Sequence, residues 1–324
     1  MERRELGRSG ISVTRIVLGC GNFGGVGSAP ALFGQGISRE EAPRIMDAAW
    51  DLGITTFDTA DAYGGGRSEA WIGEWLATKG PAVRDAVTIE TKTFNPMDTG
   101  KDRGLSRHRI TRQIETSLER LGVDRVALYM AHAPDDETPV EETMSAFDAL
   151  VRAGKVGAVG ASNFTAEQLA EALELSALAG LTRYEWVQNG FSLLERGDRE
   201  TIFPLCHEHD LGYTPFSPLA GGWLTGKYRR GEPPPAGSRM TLRPEGSEHY
   251  WADATFDALE AFEGEAERRG VSMAGLAIAW LLHVPEITAV VVGPSRLGHL
   301  APVRDALDIT LTDDERDALE RIFR

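Results

Sequence analysis

Residues 54–66 read ITTFDTADAYGGG, and three side chains in this stretch can do chemistry: Asp58, Asp61 and Tyr63. Residues 54–57 are a short β-branched and aromatic run with Gly53 before it and a glycine cluster behind it, which predicts a buried strand entering a loop. A plain connection has no use for two carboxylates and a phenol. A phenol beside charged neighbours can act as a general acid, so Asp58 and Tyr63 are the first candidates. The competing reading is structural, because an Asp at a strand end commonly forms a turn or caps a helix.

The elements around this stretch repeat. Residues 1–14 read as a hairpin turning at 8–10. After it, strand patterns at 15–19, 54–57, 86–91, 126–130, 156–160, 185–188, 212–216 and 287–292 alternate with helical spacing at 39–52, 68–77, 106–121, 140–153, 165–179, 200–209, 255–269 and 272–283. Two more helices are expected near 296–306 and 313–324. Strand then helix, eight times over, means parallel strands with helical crossovers. The expectation is an α/β fold: a (β/α)8 TIM barrel with an N-terminal β-hairpin and extra C-terminal helices, as one domain over 1–324. The rival is a doubly wound open sheet. Its G-x-G-x-x-G fingerprint should open a helix, whereas Gly19, Gly21 and Gly24 lead into a long loop.

A barrel carries its active site at the C-terminal ends of its strands. Candidates fall there. Asp58 and Tyr63 follow the second strand, Lys92 closes the third, His132 follows the fourth, and Ser162 and Asn163 follow the fifth. Gln188 ends the sixth strand, Phe216 and Ser217 end the seventh, and Gly293, Pro294, Ser295 and Arg296 follow the eighth. The connections over 24–36, 93–105 and 219–250 are long, as binding loops are. The last is rich in Pro and Gly and is expected to be mobile rather than packed.

Composition narrows the classes. The 324 residues carry a net charge of −15, which argues against a nucleic-acid partner, so any anionic ligand needs a local basic pocket. Lysine occurs only at Lys79, Lys92, Lys101, Lys155 and Lys227, so a lysine at a strand end stands out. Cys20 and Cys206 lack metal-site spacing. No run has the length and apolarity of a membrane span, and the N-terminus lacks the apolar run of a signal peptide, so a cytoplasmic protein with no membrane partner is expected. His207 and His209 form an H-x-H pair, but residues two apart on a helix point in different directions. They also precede a strand, away from the functional face. No metal is expected.

Nine stretches in order resemble the aldo-keto reductase family across essentially the whole chain: LGRSGISVTRIVLGCGNFG, FDTADAYGGGRSE, ETK, GLSRHRI, YMAHAPD, GKVGAVGASNF, VQNGFSLLER, TPFSPLAGGWLTGKY and VVGPSRLGHL. Their spacing is similar to the long-chain bacterial branch related to potassium-channel β-subunits. The resemblance implies a catalytic tetrad of Asp58, Tyr63, Lys92 and His132. Tyr63 would give a proton to a carbonyl oxygen, Lys92 would lower the phenol's pKa, Asp58 would orient Lys92, and His132 would donate a hydrogen bond to that oxygen. The substrate would be a small aldehyde or ketone, and Phe23 and Phe94 would line its site with Tyr63 and His132. Phe33 and Trp223 are further candidates for an apolar wall.

The same resemblance implies NADPH as cofactor. Ser162, Asn163 and Gln188 match positions that hold the nicotinamide carboxamide, and Phe216 matches an aromatic that stacks on the ring. Asp58, Gly21, Asn22 and Gly293 are also expected to contact the cofactor. Ser217, Leu219, Gly221 and Lys227 match the loop over the pyrophosphate, while Ser295 and Arg296 match the segment at the adenosine 2′-phosphate; Pro218 and His299 are further cofactor-binding candidates. One departure stands out. Where many members continue Q-L-x-E-N, this chain has His299-Leu300-Ala301-Pro302-Val303, so the groups that usually hold adenine are missing. Two other functions remain open at this point: an NADPH-binding redox sensor with little turnover, and a metal-dependent hydrolase using His132 and Asp58. Oligomeric state and substrate identity are not fixed by these residues.

Overall fold

In the computed structural model, residues 1–98, 100 and 102–324 are described; Thr99 and Lys101, within the expected long connection 93–105, lie outside them. The chain opens with an antiparallel hairpin, β1 (Arg3–Glu5) and β2 (Ser12–Thr14), in which Arg3 pairs with Thr14. Eight parallel strands follow: β3 (Ile16–Gly19), β4 (Thr56–Asp58), β5 (Thr88–Thr93), β6 (Val126–Ala131), β7 (Val156–Ser162), β8 (Tyr184–Gln188), β9 (Gly212–Tyr213) and β10 (Val290–Val292). They pair in the order β10-β3-β4-β5-β6-β7-β8-β9. Hydrogen bonds from Thr288 N–H to the Tyr213 carbonyl (2.8 Å) and from Val291 N–H to the Pro215 carbonyl (2.9 Å) join the two ends. The sheet is curled into a (β/α)8 barrel, not the open doubly wound sheet.

The helices form where the apolar spacing predicts them, and local chemistry sets their ends. Helix α1 (Ala42–Asp51) buries Ala42, Ile45, Met46 and Ala49 on one face. Helices α2 (Arg67–Ala77) and α3 (Pro81–Ala86) come next. Ser106 caps α4 (Arg107–Leu121) by accepting the Arg109 N–H, and Gly122 ends it in the left-handed region, as a C-terminal glycine does. Helix α5 (Val140–Arg152) precedes α6 (Ala166–Ala179), which starts on a Thr165–Gln168 capping box. The set continues with α7 (Asp198–His209), α8 (Arg239–Leu242), α9 (Asp253–Arg269), α10 (Met273–Leu282), α11 (Ala301–Asp308) and α12 (Asp313–Arg321).

Helix α3 was not expected. None of its six residues is buried, so it carries no amphipathic signal, and the predicted strand start at 86 moves to Thr88. The connection over 219–250 departs from expectation only at its ends, which are packed, while most of residues 229–246 are exposed as its Pro and Gly content suggests. A 3₁₀ turn at Ala220–Thr225 sinks Trp223 and Leu224 fully. The Trp223 ring meets Tyr228 at 4.7 Å, Trp251 at 5.5 Å and Phe256 at 5.7 Å between centroids. Aromatic burial, at roughly 150–250 Å² per ring, anchors those ends and leaves the Pro- and Gly-rich middle at the surface.

Two cores result. The larger lies between strands and helices, as in any barrel. A smaller one fills the barrel interior with Val17, Leu128, Met130, Ala158, Trp186, Ala289 and Val291, and the hairpin adds Leu6 and Val13 as a plug. Gly160 makes room for Trp186, because a Cβ there would sit 2.5 Å from the indole. Beside this apolar filling, the strands carry a buried polar layer: Asp58, Glu90, Lys92 and Gln188.

Candidate active site

Strand pairing places Asp58 opposite Glu90 and Lys92 opposite Met130. The Lys92 side chain is fully buried, with Nζ donating to Asp58 Oδ2 at 2.5 Å and to the Thr59 carbonyl at 2.9 Å. Gln188 comes from β8, on the far side of the ring, and its amide reaches across the interior. Its Nε2 donates to Asp58 Oδ2 at 2.9 Å and to Glu90 Oε1 at 2.7 Å.

The loop after β4 delivers Tyr63. It turns through Gly64, Gly65 and Gly66, all at positive φ. A Cβ at Gly64 would meet the Phe23 carbonyl at 2.5 Å, so glycine is required there. The loop is fastened underneath by buried charge. Asp61 Oδ2 accepts from Thr93 Oγ1 at 2.8 Å and Gln113 Nε2 at 3.0 Å, with Arg109 Nη1 at 3.5 Å. Arg109 also donates to Thr93 Oγ1 at 2.5 Å and to the Asn95 carbonyl at 2.6 Å. One guanidinium on α4 thus holds both the Tyr63 loop and the start of the next one.

His132 follows β6, anchored by its N–H to the Thr93 carbonyl at 3.0 Å. Its Nε2 lies 3.4 Å from the Tyr63 hydroxyl, and the two rings meet edge to face at 5.4 Å. On the other side of the ring, Asn95 Nδ2 sits 3.1 Å from His132 Nδ1. An amide N–H donating to Nδ1 leaves the neutral ring's proton on Nε2, the nitrogen that faces Tyr63.

The electrostatics divide the roles. Burial pushes the Tyr63 phenol up to about 12, against the pull of Lys92, whose ammonium lies 5.2 Å from the ring centre. At Lys92 burial favours the neutral amine, but the Asp58 carboxylate bonded to it outweighs that and holds the pKa above the ordinary lysine value. Burial, and then the Lys92 charge, depress His132 well below the usual imidazole range, so it is neutral. Glu90 is raised well above the carboxylate range by burial and by Asp58. One ammonium cannot neutralise two buried carboxylates, and Glu90 is the one that stays protonated.

The expected cofactor residues lie around this cluster. Asn163 has φ 62 and its Nδ2 donates to the His132 carbonyl at 2.8 Å and to Ser162 Oγ at 3.0 Å. Ser162 in turn donates to the Gln188 carbonyl at 2.6 Å. These bonds use the amide hydrogens and leave Asn163 Oδ1 and Gln188 Oε1 as acceptors, the pair a carboxamide NH₂ requires. Gly21 lies bare against the Tyr63 ring, where a Cβ would be 3.4 Å from it, and Gly190 lies bare against Phe216. Ser217 (φ 55) and Ala220 (φ 47) are left-handed without being glycine, backbone strain of the kind found at ligand clamps. Pro218, Leu219 and Gly221 complete that loop. Asn22 Nδ2 is committed to the Gly293 and Pro294 carbonyls at 3.3 and 3.1 Å, tying the first loop to the last. Among the described residues Lys227 and Arg296 form no ion pair, while Ser295, Arg296 and His299 share one turn. Free acceptors at one end and unpaired basic groups at the other fit a nicotinamide dinucleotide.

The family model described as "Aldo/keto reductase family" matches residues 15–324. The chain belongs to the aldo/keto reductase family. An uncharacterized oxidoreductase of Bacillus subtilis (strain 168), YrpG, is 35% identical over 100% of this chain and 96% of its own. A probable voltage-gated potassium channel subunit beta of Oryza sativa subsp. japonica is 33% identical, covering 100% and 97%. An L-glyceraldehyde 3-phosphate reductase of Escherichia coli O157:H7 is 33% identical, covering 97% and 90%. As an aldo/keto reductase the chain is an NAD(P)H-dependent oxidoreductase. Among its described residues no helix is long and apolar enough to cross a membrane, and no group of three or more His, Cys, Asp or Glu is placed to hold a metal.

Two expected wall residues of this aldo/keto reductase are corrected. Phe23 and Trp223 have no exposed surface; both are core side chains, Phe23 because residue 23 bridges in parallel to Ile37 and turns its ring inward. Phe94 and Phe33 are half-buried and keep surface to offer. Sequence reasoning missed Glu90, Asn95 and Arg109. Glu90 carries a signal in hindsight: it sits two before Lys92 on one strand, hence on the same inward face.

Proposed function

We propose that this chain is an NADPH-dependent carbonyl reductase that turns an aldehyde or ketone into an alcohol with Tyr63 as proton donor. The observation that carries the reading is the meeting of Tyr63, His132, Lys92 and Asp58 from three successive strands and their loops at one end of the barrel. Ser162, Asn163 and Gln188 would hold the carboxamide, Phe216 the face of the ring, and Lys227, Ser295 and Arg296 the phosphates. When bound, that cofactor supplies the hydride to the carbonyl carbon.

The chain's own groups then manage charge on the oxygen. As the C=O π pair collapses onto oxygen, His132 Nε2–H donates a hydrogen bond to it and Tyr63 passes over its proton. The resulting phenolate lies beside the Lys92 ammonium, which compensates it, and Asp58 with the Thr59 carbonyl keeps that ammonium in place. Solvent then restores the phenol. Neutral His132 suits a donor rather than a second acid, and a phenol near 12 without ligand keeps its proton until the alkoxide develops.

The test is Tyr63→Phe. Reduction across a panel of aldehydes and ketones should fall roughly 10²–10⁴-fold, while NADPH still quenches tryptophan fluorescence with a similar Kd. Wild-type turnover in this variant would remove Tyr63 from the mechanism. Similarity to channel β-subunits supports a second reading, a cofactor-bound sensor. A single stoichiometric hydride transfer, with no steady-state NADPH oxidation on any panel member, would favour it.

A further inference from the structure

A cavity of about 200 Å³ opens in the helix layer, outside the catalytic cluster, between the loop after β6 and the N-terminal halves of α5 and α6. At roughly 30 Å³ per water, that is room for several waters or one small molecule. Its floor is made by the buried side chains Leu105, Phe164 and Tyr184, with half-buried Val140 beside them. Thr143 also reaches the floor, but its hydroxyl is committed to the Leu105 carbonyl at 3.2 Å.

Tyr184 is the group on that floor whose chemistry is unmet. It starts β8, is 1% exposed, and packs its ring edge to face on Phe147 at 6.1 Å and Phe164 at 5.7 Å between centroids. Its hydroxyl has no hydrogen-bond partner among the described residues. Tyr129 and Tyr213, buried in the same layer, each donate to one: the Ile110 carbonyl at 3.4 Å and Asp198 Oδ2 at 2.7 Å. The indole N–H groups of Trp186 and Trp280 are unpartnered too, but they are sealed from solvent; the Tyr184 hydroxyl opens onto the cavity. Burial alone acts on the phenol and pushes its pKa up. It is therefore neutral, with one hydrogen to give and lone pairs to accept on.

The rim is acidic. Asp135, Asp136 and Glu171 stand at the opening, and none of them has an ion-pair partner among the described residues. Asp135 accepts the Leu105 N–H at 2.6 Å and the Glu137 N–H at 3.1 Å, which fixes the loop. Asp136 and Glu171 are exposed and committed to nothing. No lysine or arginine lines the cavity among the described residues. A neighbouring groove that shares Glu171 adds Glu141 and Glu174. Carboxylates alone would mark nothing in a chain of net charge −15; what sets this place apart is a neutral, unmet phenol behind them.

We propose that this cavity binds a small amphiphilic cation: an organic ammonium at the rim beside Asp136 and Glu171, a short aliphatic stem on Leu105, Val140 and Phe164, and a neutral polar group at the inner end hydrogen-bonded to the Tyr184 hydroxyl. Each part answers one feature. The inner group is neutral because the floor offers no carboxylate to offset a buried charge. The stem is aliphatic because the floor removes apolar surface from water. The outer end is cationic because it meets carboxylates where it stays hydrated. An amino alcohol is the simplest molecule of this class. The inference uses neither the cofactor nor the carbonyl substrate, so its failure leaves the proposed reductase standing.

Calorimetric titration of the full chain at constant ionic strength compares aminopentanol with pentylamine, which lacks the inner hydroxyl, and with pentanediol, which lacks the charge. Aminopentanol should bind saturably, about three- to tenfold tighter than pentylamine. It should also bind about two- to fivefold tighter than pentanediol, a margin that shrinks as salt is added. Tyr184→Phe should erase the first margin and keep the second. Because the hydroxyl has no partner in the protein, this variant should keep the wild-type Tm, which separates lost binding from lost folding. Glu171→Gln, at an exposed position, should reduce the second margin and keep the first. The proposal is overturned by an absence of saturable aminopentanol binding, by binding no tighter than that of pentanediol, or by a first margin that survives Tyr184→Phe. A lowered Tm in Tyr184→Phe would mean that the hydroxyl is already satisfied within the fold, and overturns it as well.

Discussion

Asn95 Nδ2 lies 3.1 Å from His132 Nδ1, and that contact decides which nitrogen of the imidazole faces Tyr63 with a proton. Asn95→Asp turns the donor into an acceptor, so the ring proton moves to Nδ1 and Nε2 loses its hydrogen. With one donor to the developing oxyanion gone, kcat for carbonyl reduction should fall about 10²-fold. The NADPH Kd should change little. Steady-state kinetics beside a fluorescence titration separate the two, and an unchanged kcat would show that His132 does not work as a donor.

Lys92 and Asp58 should behave as a unit. Lys92→Met leaves a buried carboxylate without its cation and should cost about 3–5 kcal/mol in denaturant unfolding, in addition to activity. Adding Asp58→Asn removes the orphaned charge. The double variant should regain most of the stability and none of the turnover, a non-additivity that a double-mutant cycle reads directly.

Asp61 gives the fold a pH signature of definite sign. Burial pushes its carboxyl up to about 6, against the lowering effect of Arg109, while the unfolded chain keeps the ordinary value of 3.8. Between those values the folded state binds more protons than the unfolded one, so stability falls as pH rises from about 4 to about 6 and then levels off. His132 titrates with the opposite sign, because it is held neutral in the fold. The difference in Tm between wild type and Asp61→Asn, followed over that range, isolates the Asp61 contribution. A pH-independent difference would contradict a raised carboxyl.

Gly160 tests the packing under the site. Its missing Cβ leaves the space that the Trp186 indole occupies at 2.5 Å. Gly160→Val should destabilise the protein by about 1–3 kcal/mol or more through overpacking, and near-ultraviolet circular dichroism should report the displaced indole. No change in either measurement would mean that the barrel interior can yield.

What was legible in the sequence follows from how each feature is encoded. Strand and helix order was readable because β-branched runs and helical spacing alternate along the chain, and Asp58, Lys92 and His132 stood out because they interrupt or close apolar strands. Helix α3 was silent because none of its side chains is buried. The packing at the two ends of 219–250 was hidden by the prolines and glycines between them, although Trp223, Tyr228, Tyr250, Trp251 and Phe256 were all in view; only the fold brings those rings together. Phe23 was misplaced because an aromatic beside a glycine-rich loop looks the same whether its ring faces a ligand or the core. Asn95 and Arg109 act through contacts between distant segments, and nothing in their immediate neighbours signals it.

The strand that starts the ring, at Ile16, is hydrogen-bonded to the one made last, at Val290. During synthesis, therefore, the seven earlier strands β3–β9 and the plug must wait on the ribosome with a free sheet edge at each end. A product truncated before residue 288 would be an open, self-pairing ribbon rather than a shorter enzyme.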